Sequence, residues 1–247
     1  MIRPTLIGTA LAAVLASCTA THAAVMNPVE DVMTSGFFFA PNLVRGFAAD
    51  NRPTLRVSND APFGVAPETT YISFDAAEFA GFAGPILSAT LTVESVTGMF
   101  GADAGPMNPF TVSAHGVTAD PISSITDDTD PSGPIGFFDF FNNNILPNDP
   151  AAVTVINGFG AFEFDVTALV NDWISGVTAD TTIALTGMND TSGNDFLHGF
   201  LDNSLAPGST FLTATVPEPS SFLLIVLGGC VLAWWIAHPS REGHGIV

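Results

Sequence analysis

Residues 86–94 read ILSATLTVE, a short segment in which apolar and polar side chains alternate. Ala89, Leu91 and Val93 fall on one side of an extended chain, and the intervening threonines fall with Glu94 on the other. A period of two is the pattern of a strand with one buried face and one face in water. The segment therefore predicts a β-strand whose apolar side packs on a second layer.

Other segments of the chain carry strand signals, with turns between them. Residues 161–166, AFEFDV, alternate in the same way and place Phe162, Phe164 and Val166 inward. The 23 glycines and 18 prolines are scattered through the middle of the chain and favour many turns. Short strands spaced by turns predict an all-β sandwich or barrel. The remaining predicted strands are 32–39, 54–58, 69–74, 110–117, 153–156, 181–186 and 210–215.

A single short helix is predicted among these strands. Asp165 or Thr167 can cap its start, and Gly176 is a typical end. We expect it to lie as a lid across one open end of the sandwich, with Trp173 in the core rather than stacked on a ligand. The apolar residues that recur at helical spacing are Val166, Leu169, Val170, Trp173 and Ile174.

The composition excludes several classes of protein. Twenty-four acidic residues against five basic ones give a net charge of -19, and no residue is lysine. Nucleic acid is excluded as a partner, because phosphate binding needs clustered basic residues. The two cysteines, Cys18 and Cys230, are too few for a disulfide framework or a multi-cysteine metal site. No nucleophile elbow, zinc-protease, phosphate-loop or dinucleotide motif occurs, so no enzyme activity is expected.

The N-terminal residues 1–24 are typical of a secretory signal peptide. Arg3 is the positive start, residues 6–16 form an apolar stretch, and small residues follow at 21–24. The segment ending in Cys18 resembles a bacterial lipobox, in which that cysteine carries lipid, but small residues are also ordinary near a cleavage site. Both interpretations stay open.

The C-terminal residues 222–237 contain no charged side chain and predict a transmembrane helix. Its roughly 16 residues span about 24 Å at 1.5 Å per residue, slightly less than a bilayer core. Trp234 and Trp235 suit the interface, and Arg241 follows on the cytoplasmic side. The predicted organisation is a signal peptide (1–24), an exported domain (25–215) and a sorting and anchor segment (216–247).

Residues 217–219 are Pro217, Glu218 and Pro219, directly before this apolar span. The order of motif, span and basic end resembles the PEP-CTERM sorting signal, although only Arg241 stands where that family usually has several basic residues. The resemblance implies an exosortase-type sorting protease as a partner. It also implies export through the inner membrane of a bacterium, followed by membrane anchoring or a place at the cell surface or in the extracellular matrix.

Four blocks within the exported domain, 70–75, 86–93, 164–176 and 181–185, resemble the DNRLRE-type domain, which is similar to carbohydrate-binding modules. The resemblance implies a jelly-roll-like β-sandwich and nothing catalytic. The family usually carries a Ser-x-Glu near its last strand, where this chain has His198 and Gly199.

One acidic loop is a candidate Ca²⁺ site. Its spacing is close to that of an EF-hand loop, in which hard oxygen ligands alternate around a glycine turn. Two prolines inside the loop and the lack of flanking helices instead favour an acidic, solvated loop. The candidate ligands are Asp128, Asp130, Ser132 and Asp139.

Three arginines, Arg45, Arg52 and Arg56, are the only basic residues between the two ends. In a strongly anionic domain they can pair with carboxylates and stabilise this region. They are also candidate contacts for an acidic polysaccharide, because guanidinium groups bind carboxylates bidentately.

The sequence thus predicts an exported, membrane-tethered, non-catalytic surface or extracellular-matrix protein that binds polysaccharide. One alternative is a secreted polysaccharide-active enzyme that uses carboxylates, for which Glu94 and Glu163 are available. A second alternative is a purely structural surface protein. No cofactor other than Ca²⁺ is indicated.

Overall fold

The computed structural model describes residues 21–35, 54–58, 68–82, 84–97, 104–107, 109–118, 143–145, 149–178, 180–187, 197–203 and 205–217. Eleven strands and two short helices have both of their ends within these ranges. The strands are β1 (Thr21–Met26), β2 (Glu30–Ser35), β3 (Thr54–Ser58), β4 (Glu68–Ser73), β5 (Ser88–Thr97), β6 (Phe110–Gly116), β7 (Ala152–Ile156), β8 (Gly160–Asp165), β9 (Thr182–Thr186), β10 (Leu197–Leu201) and β11 (Thr210–Pro217). The helices are α1 (Ala76–Ala80) and α2 (Thr167–Ser175).

The strands form two sheets. Sheet A has the order β1-β11-β5-β10-β3, with β8 also paired to β5. Sheet B has the order β2-β4-β9-β6-β7. The long strand β5 is central to sheet A, because Leu91 lies opposite Phe164 of β8 on one side and Leu212 of β11 on the other. The all-β prediction is confirmed.

The core contains apolar residues from both sheets. Ala89, Leu91 and Val93 are fully buried there, as the alternation in residues 86–94 predicts. Phe164 is also buried, and Phe162 packs against the cluster at its edge. Sheet B contributes Ile72, Val112, Ala114, Ile156, Ile183 and Leu185 to the same cluster.

Both faces of sheet B are buried in its central strands β4 and β9. On the face opposite the core, hydroxyl side chains stand in register across four strands, and all four residues are buried. The hydroxyls of Thr69 and Thr186 find no hydrogen-bond partner among the described residues. The row runs Thr34, Thr69, Thr186 and Ser113.

Helix α2 lies where its periodicity predicts and ends at Gly176, whose φ of 74° is left-handed and suits glycine. Asp165 accepts hydrogen bonds from the amide and hydroxyl of Thr167, which lower the pKa of its carboxyl group. The helix contacts both sheets, because the Thr167 hydroxyl accepts from the Ala89 amide of β5 while Leu169 lies against Gly116 of β6. These contacts match a lid across one end of the sandwich.

The structure contains three elements that the sequence does not predict. Helix α1 corrects the prediction of a single helix; Asp75 caps it, and Phe79 packs on Trp173 with ring centroids 5.1 Å apart. Strand β10 contains Gly199 and no alternation. Strand β1 includes residues 21–24, which were predicted to end the signal peptide.

Residues 23–216 form one compact unit. Among the residues described here, no helix is long and apolar enough to cross a membrane. The predicted span at 222–237 and the stretch at 6–16 lie outside the described residues.

Candidate functional site

A groove lies at the end of the sandwich that α2 covers. Its cavity volume is about 510 Å³, within the range of small-ligand sites. Three stretches of chain meet there: the end of β6, the approach to β7, and one side of α2 with the turn that follows it. The described lining residues are Gly116, Val117, Thr118, Asp149, Pro150, Ala151, Ala168, Leu169, Asp172 and Thr178.

Local hydrogen bonds hold each wall of the groove. The Ala151 amide donates to the Ala114 carbonyl over 2.8 Å. This bond joins the residues just before β7 to strand β6. The Thr118 hydroxyl donates to the Asn144 side chain over 2.9 Å. Beyond α2, the Val177 amide donates to the Asp172 carbonyl over 2.9 Å and positions Thr178.

The polar lining consists of carboxylates and hydroxyls. Asp149 and Asp172 are exposed, and no basic residue is present among the described lining residues. The Thr178 hydroxyl is buried and finds no hydrogen-bond partner among the described residues. Such a group is costly unless a ligand or water satisfies it. The groove therefore accepts hydrogen bonds at its carboxylates and offers a hydroxyl that can donate or accept.

Arg56 lies in β3, away from the surface. Its Nη2 donates to Glu68 Oε1 of β4 over 2.8 Å, and both side chains are buried. Burial raises the pKa of Glu68 to about 7, while the Arg56 charge opposes that rise. The ion pair joins the two sheets, together with a hydrogen bond from the Thr70 hydroxyl to the Arg56 carbonyl. Arg56 thus pairs with a carboxylate, as expected if the arginines stabilise this region.

The other predicted site residues are mostly outside the described part of the chain. This holds for Arg45 and Arg52, for the candidate Ca²⁺ ligands Asp128, Asp130, Ser132 and Asp139, and for Glu218 and Pro219 of the sorting motif. Pro217 is the last residue of β11 and is exposed. In the described ranges, no three His, Cys, Asp or Glu side chains come together as a metal site.

Glu94 and Glu163 are exposed on the outer face of sheet A. Glu163 lies opposite Thr92 and Glu94 lies opposite Ala161, so the two glutamates are diagonal neighbours on adjacent strands. His115 is buried in β6, in register with Ala184 of β9. None of these three residues lines the groove.

The sequence does not predict the groove. Gly116 and Leu169 are ordinary strand-end and helix residues, and Asp149, Asp172 and Thr178 lie far apart along the chain. Only the proline at 150 and the turn after Gly176 indicate that two loops end there.

No family model matches this chain, and no curated protein is similar to it at a significant level.

Proposed function

We propose that this protein is an exported, membrane-tethered, non-catalytic surface or matrix module that binds a neutral polysaccharide in the groove beside α2. The observation that carries the ligand assignment is the chemistry of the lining, with carboxylate acceptors and an unpartnered buried hydroxyl in one concave site. Export and tethering rest on the predicted signal peptide, the PEP-CTERM resemblance and the apolar span 222–237.

Sugar hydroxyls match the carboxylates of this groove and the Thr178 hydroxyl. They donate to Asp149 and Asp172, and they can accept from or donate to the Thr178 hydroxyl. The apolar faces of sugar rings suit Val117, Pro150 and Leu169 in the same lining. A protonated amine could satisfy the carboxylates but could not accept a hydrogen bond from Thr178.

An acidic polysaccharide fits less well. Uronate carboxylates would meet the carboxylates of Asp149 and Asp172 in a domain that carries most of a net charge of -19. Arg56, one of the three candidate contacts for such a polymer, is buried against Glu68. The proposed ligand is therefore neutral rather than uronic.

The strand order supports the jelly-roll part of the proposal. One set of four strands runs β1-β11-β5-β8, and the opposing set runs β4-β9-β6-β7. These eight strands, four from each of the larger sheets, stand in an order typical of jelly rolls, a fold that includes lectin domains.

Binding of the full chain to immobilised neutral and uronic polysaccharides tests this proposal. We expect retention on a neutral polymer and none on a uronate polymer. Asp172→Asn should weaken retention about 3- to 30-fold, because it replaces a charged acceptor at the ligand by a neutral amide. Glu163→Gln, which removes an exposed carboxylate outside the groove, is the matched control and should bind like the wild type.

The same panel separates the alternatives. Release of reducing ends that Glu94→Gln abolishes would assign a polysaccharide-active enzyme instead. Absence of retention on every polymer would favour a purely structural surface protein. If Asp172→Asn and Glu163→Gln weakened retention equally, the groove would not be the binding site.

A further inference from the structure

The turn between β7 and β8 contains an asparagine followed directly by a glycine, Asn157 and Gly158. Strand β7 ends at Ile156 and β8 begins at Gly160, so this turn carries the chain from sheet B to sheet A. Asn157 is exposed, whereas Ile156 before it is fully buried. No other asparagine of the sequence precedes a glycine. The turn therefore places an accessible side-chain amide beside a backbone N–H that no side chain shields.

The two groups that would react with each other in this turn are both free. The Asn157 side-chain amide and the Gly158 N–H make no hydrogen bond to any residue that the structure describes. The Gly158 carbonyl, by contrast, accepts from the Ser95 hydroxyl over 2.9 Å. A Cβ added at Gly158 would meet no atom within 4 Å. The Gly158 nitrogen thus has open space around it and a free path to Cγ of Asn157.

Two other asparagines of the described chain are held in place instead. The Asn171 side chain in α2 accepts from the Ile86 amide over 2.9 Å and donates to the Ile86 carbonyl over 3.3 Å. Asn203 Oδ1 accepts from the Gly208 amide over 2.8 Å. Each of these asparagines is also followed by a residue that has a side chain. They provide an internal comparison for Asn157 within the same molecule.

We propose that Asn157 is a site of spontaneous modification, converted to aspartate or isoaspartate after attack by the Gly158 amide nitrogen. In the first step the bond between that nitrogen and Asn157 Cγ forms, and the bond from Cγ to Nδ2 breaks. The proton of the Gly158 N–H leaves with Nδ2 as ammonia, and a cyclic imide remains. Water then opens the imide at one of its two carbonyl groups. Opening at Cγ leaves aspartate, and opening at the main-chain carbonyl leaves isoaspartate, so water is the only co-reactant.

The modification should weaken the turn in which it occurs. Isoaspartate lengthens the main chain by one carbon, in a turn held by the buried Ile156 on one side and by the bond from Ser95 to the Gly158 carbonyl on the other. The added length must displace one of these contacts. Both products also add a negative charge to a chain whose net charge is already -19. Neither residue of the pair lines the groove beside α2, so this inference is independent of the proposed polysaccharide binding.

Mass spectrometry of the full chain tests the proposal. The folded chain is incubated at mildly alkaline pH and digested with pepsin in acid, where the ring does not close during digestion. We expect the peptide with Asn157 to gain, with time, the mass difference between an amide and a carboxyl group, and to become a substrate for isoaspartyl methyltransferase. The peptides with Asn171 and Asn203 should stay unchanged over the same time. A chain unfolded in guanidinium chloride gives the rate without structure.

Gly158→Ala is the matched variant, because the added methyl group has room in the fold but hinders the approach of the nitrogen to Asn157. It should slow the modification several-fold. After incubation, the wild type should melt about 2–4 °C lower than before, since one hydrogen bond of the turn is lost, whereas Gly158→Ala should not change.

Three results would overturn the proposal. The first is a folded chain that stays unmodified at Asn157 while the unfolded chain is converted. The second is equal rates in the wild type and Gly158→Ala. The third is modification of Asn171 or Asn203 in the folded chain as fast as that of Asn157.

Discussion

Arg56 and Glu68 form a buried ion pair between the two sheets. Removing two charges from water is costly, and their attraction compensates only while both partners are present. The Glu68 amide also donates to the Ser58 hydroxyl over 2.8 Å, so backbone and side chain are held from the same strand, β3. At the residue scale this pair specifies how β3 and β4 approach each other.

Arg56→Met should destabilise the domain, and more strongly at pH 8 than at pH 5. The folded pKa of Glu68 is raised from 4.5 to about 7, so Glu68 favours folding below about pH 4.5 and loses that contribution as the pH rises through about 7. Without Arg56 the ionised carboxylate has no compensating charge, and we expect a loss of about 3–5 kcal/mol at pH 8. Urea unfolding at the two pH values measures both losses.

The double variant Arg56→Met/Glu68→Leu is the control, because it removes both charges together. It should recover much of the loss at pH 8, since an apolar pair of similar volume is often tolerated. Equal destabilisation at pH 5 and pH 8 by Arg56→Met alone would contradict this explanation.

At the element scale, α2 depends on a close approach to β6. An added Cβ at Gly116 would lie 2.5 Å from Leu169 Cδ1, closer than carbon atoms pack. Glycine at this position allows the helix to rest on the end of β6 and to form one wall of the groove. Glycine suits this position because it has no side chain to collide with Leu169. The backbone here is not left-handed.

Gly116→Ala should therefore displace Leu169 and cost about 1–3 kcal/mol, measured by thermal or urea unfolding. It should also weaken polysaccharide retention, because both residues line the groove. The double variant Gly116→Ala/Leu169→Ala should lose less stability than the sum of the two single losses. The shorter side chain at position 169 leaves room for the methyl group at position 116.

Gly158→Ala is the matched control, because a Cβ added there meets no atom within 4 Å. It should leave stability and retention nearly unchanged. A Gly116→Ala variant as stable as Gly158→Ala would show that α2 adjusts without cost.

At the scale of the whole molecule, the net charge of -19 sets the response to salt. Like charges at this density repel across the folded domain, and added ions screen them. Divalent cations can add a specific effect only where oxygen ligands converge, and the candidate for this is the loop of Asp128, Asp130, Ser132 and Asp139.

Raising the ionic strength from about 10 mM to about 0.5 M should raise the Tm of the full chain, because screening weakens self-repulsion. At matched ionic strength, Mg²⁺ and Ca²⁺ should give the same rise if the acidic loop is only solvated. A larger rise with millimolar Ca²⁺ that Asp130→Asn abolishes would assign the calcium site instead. A Tm that does not change with salt would contradict the screening argument.

Most strands follow from alternation. Residues 54–58 and 210–215 are strands where predicted, and helix α2 ends at Gly176 because the glycine accepts a left-handed backbone. Strand β10 has no such signal, and its pairing with β3 and β5 determines its conformation. The sequence did not predict strand β1, because its small residues are also typical of a signal-peptide cleavage region.

The sequence by itself determined the all-β class, the inward face of residues 86–94 and the position of α2, because each depends on side-chain periodicity within one segment. Only the tertiary structure decided which polar groups meet. Arg56 with Glu68, Asp31 with the Asn203 amide, and the residues of the groove are brought together by strand order, since partners that lie far apart along the chain leave no local pattern. The acidic composition indicated a charged surface, whereas the fold placed two of its carboxyl groups in buried contacts between the sheets.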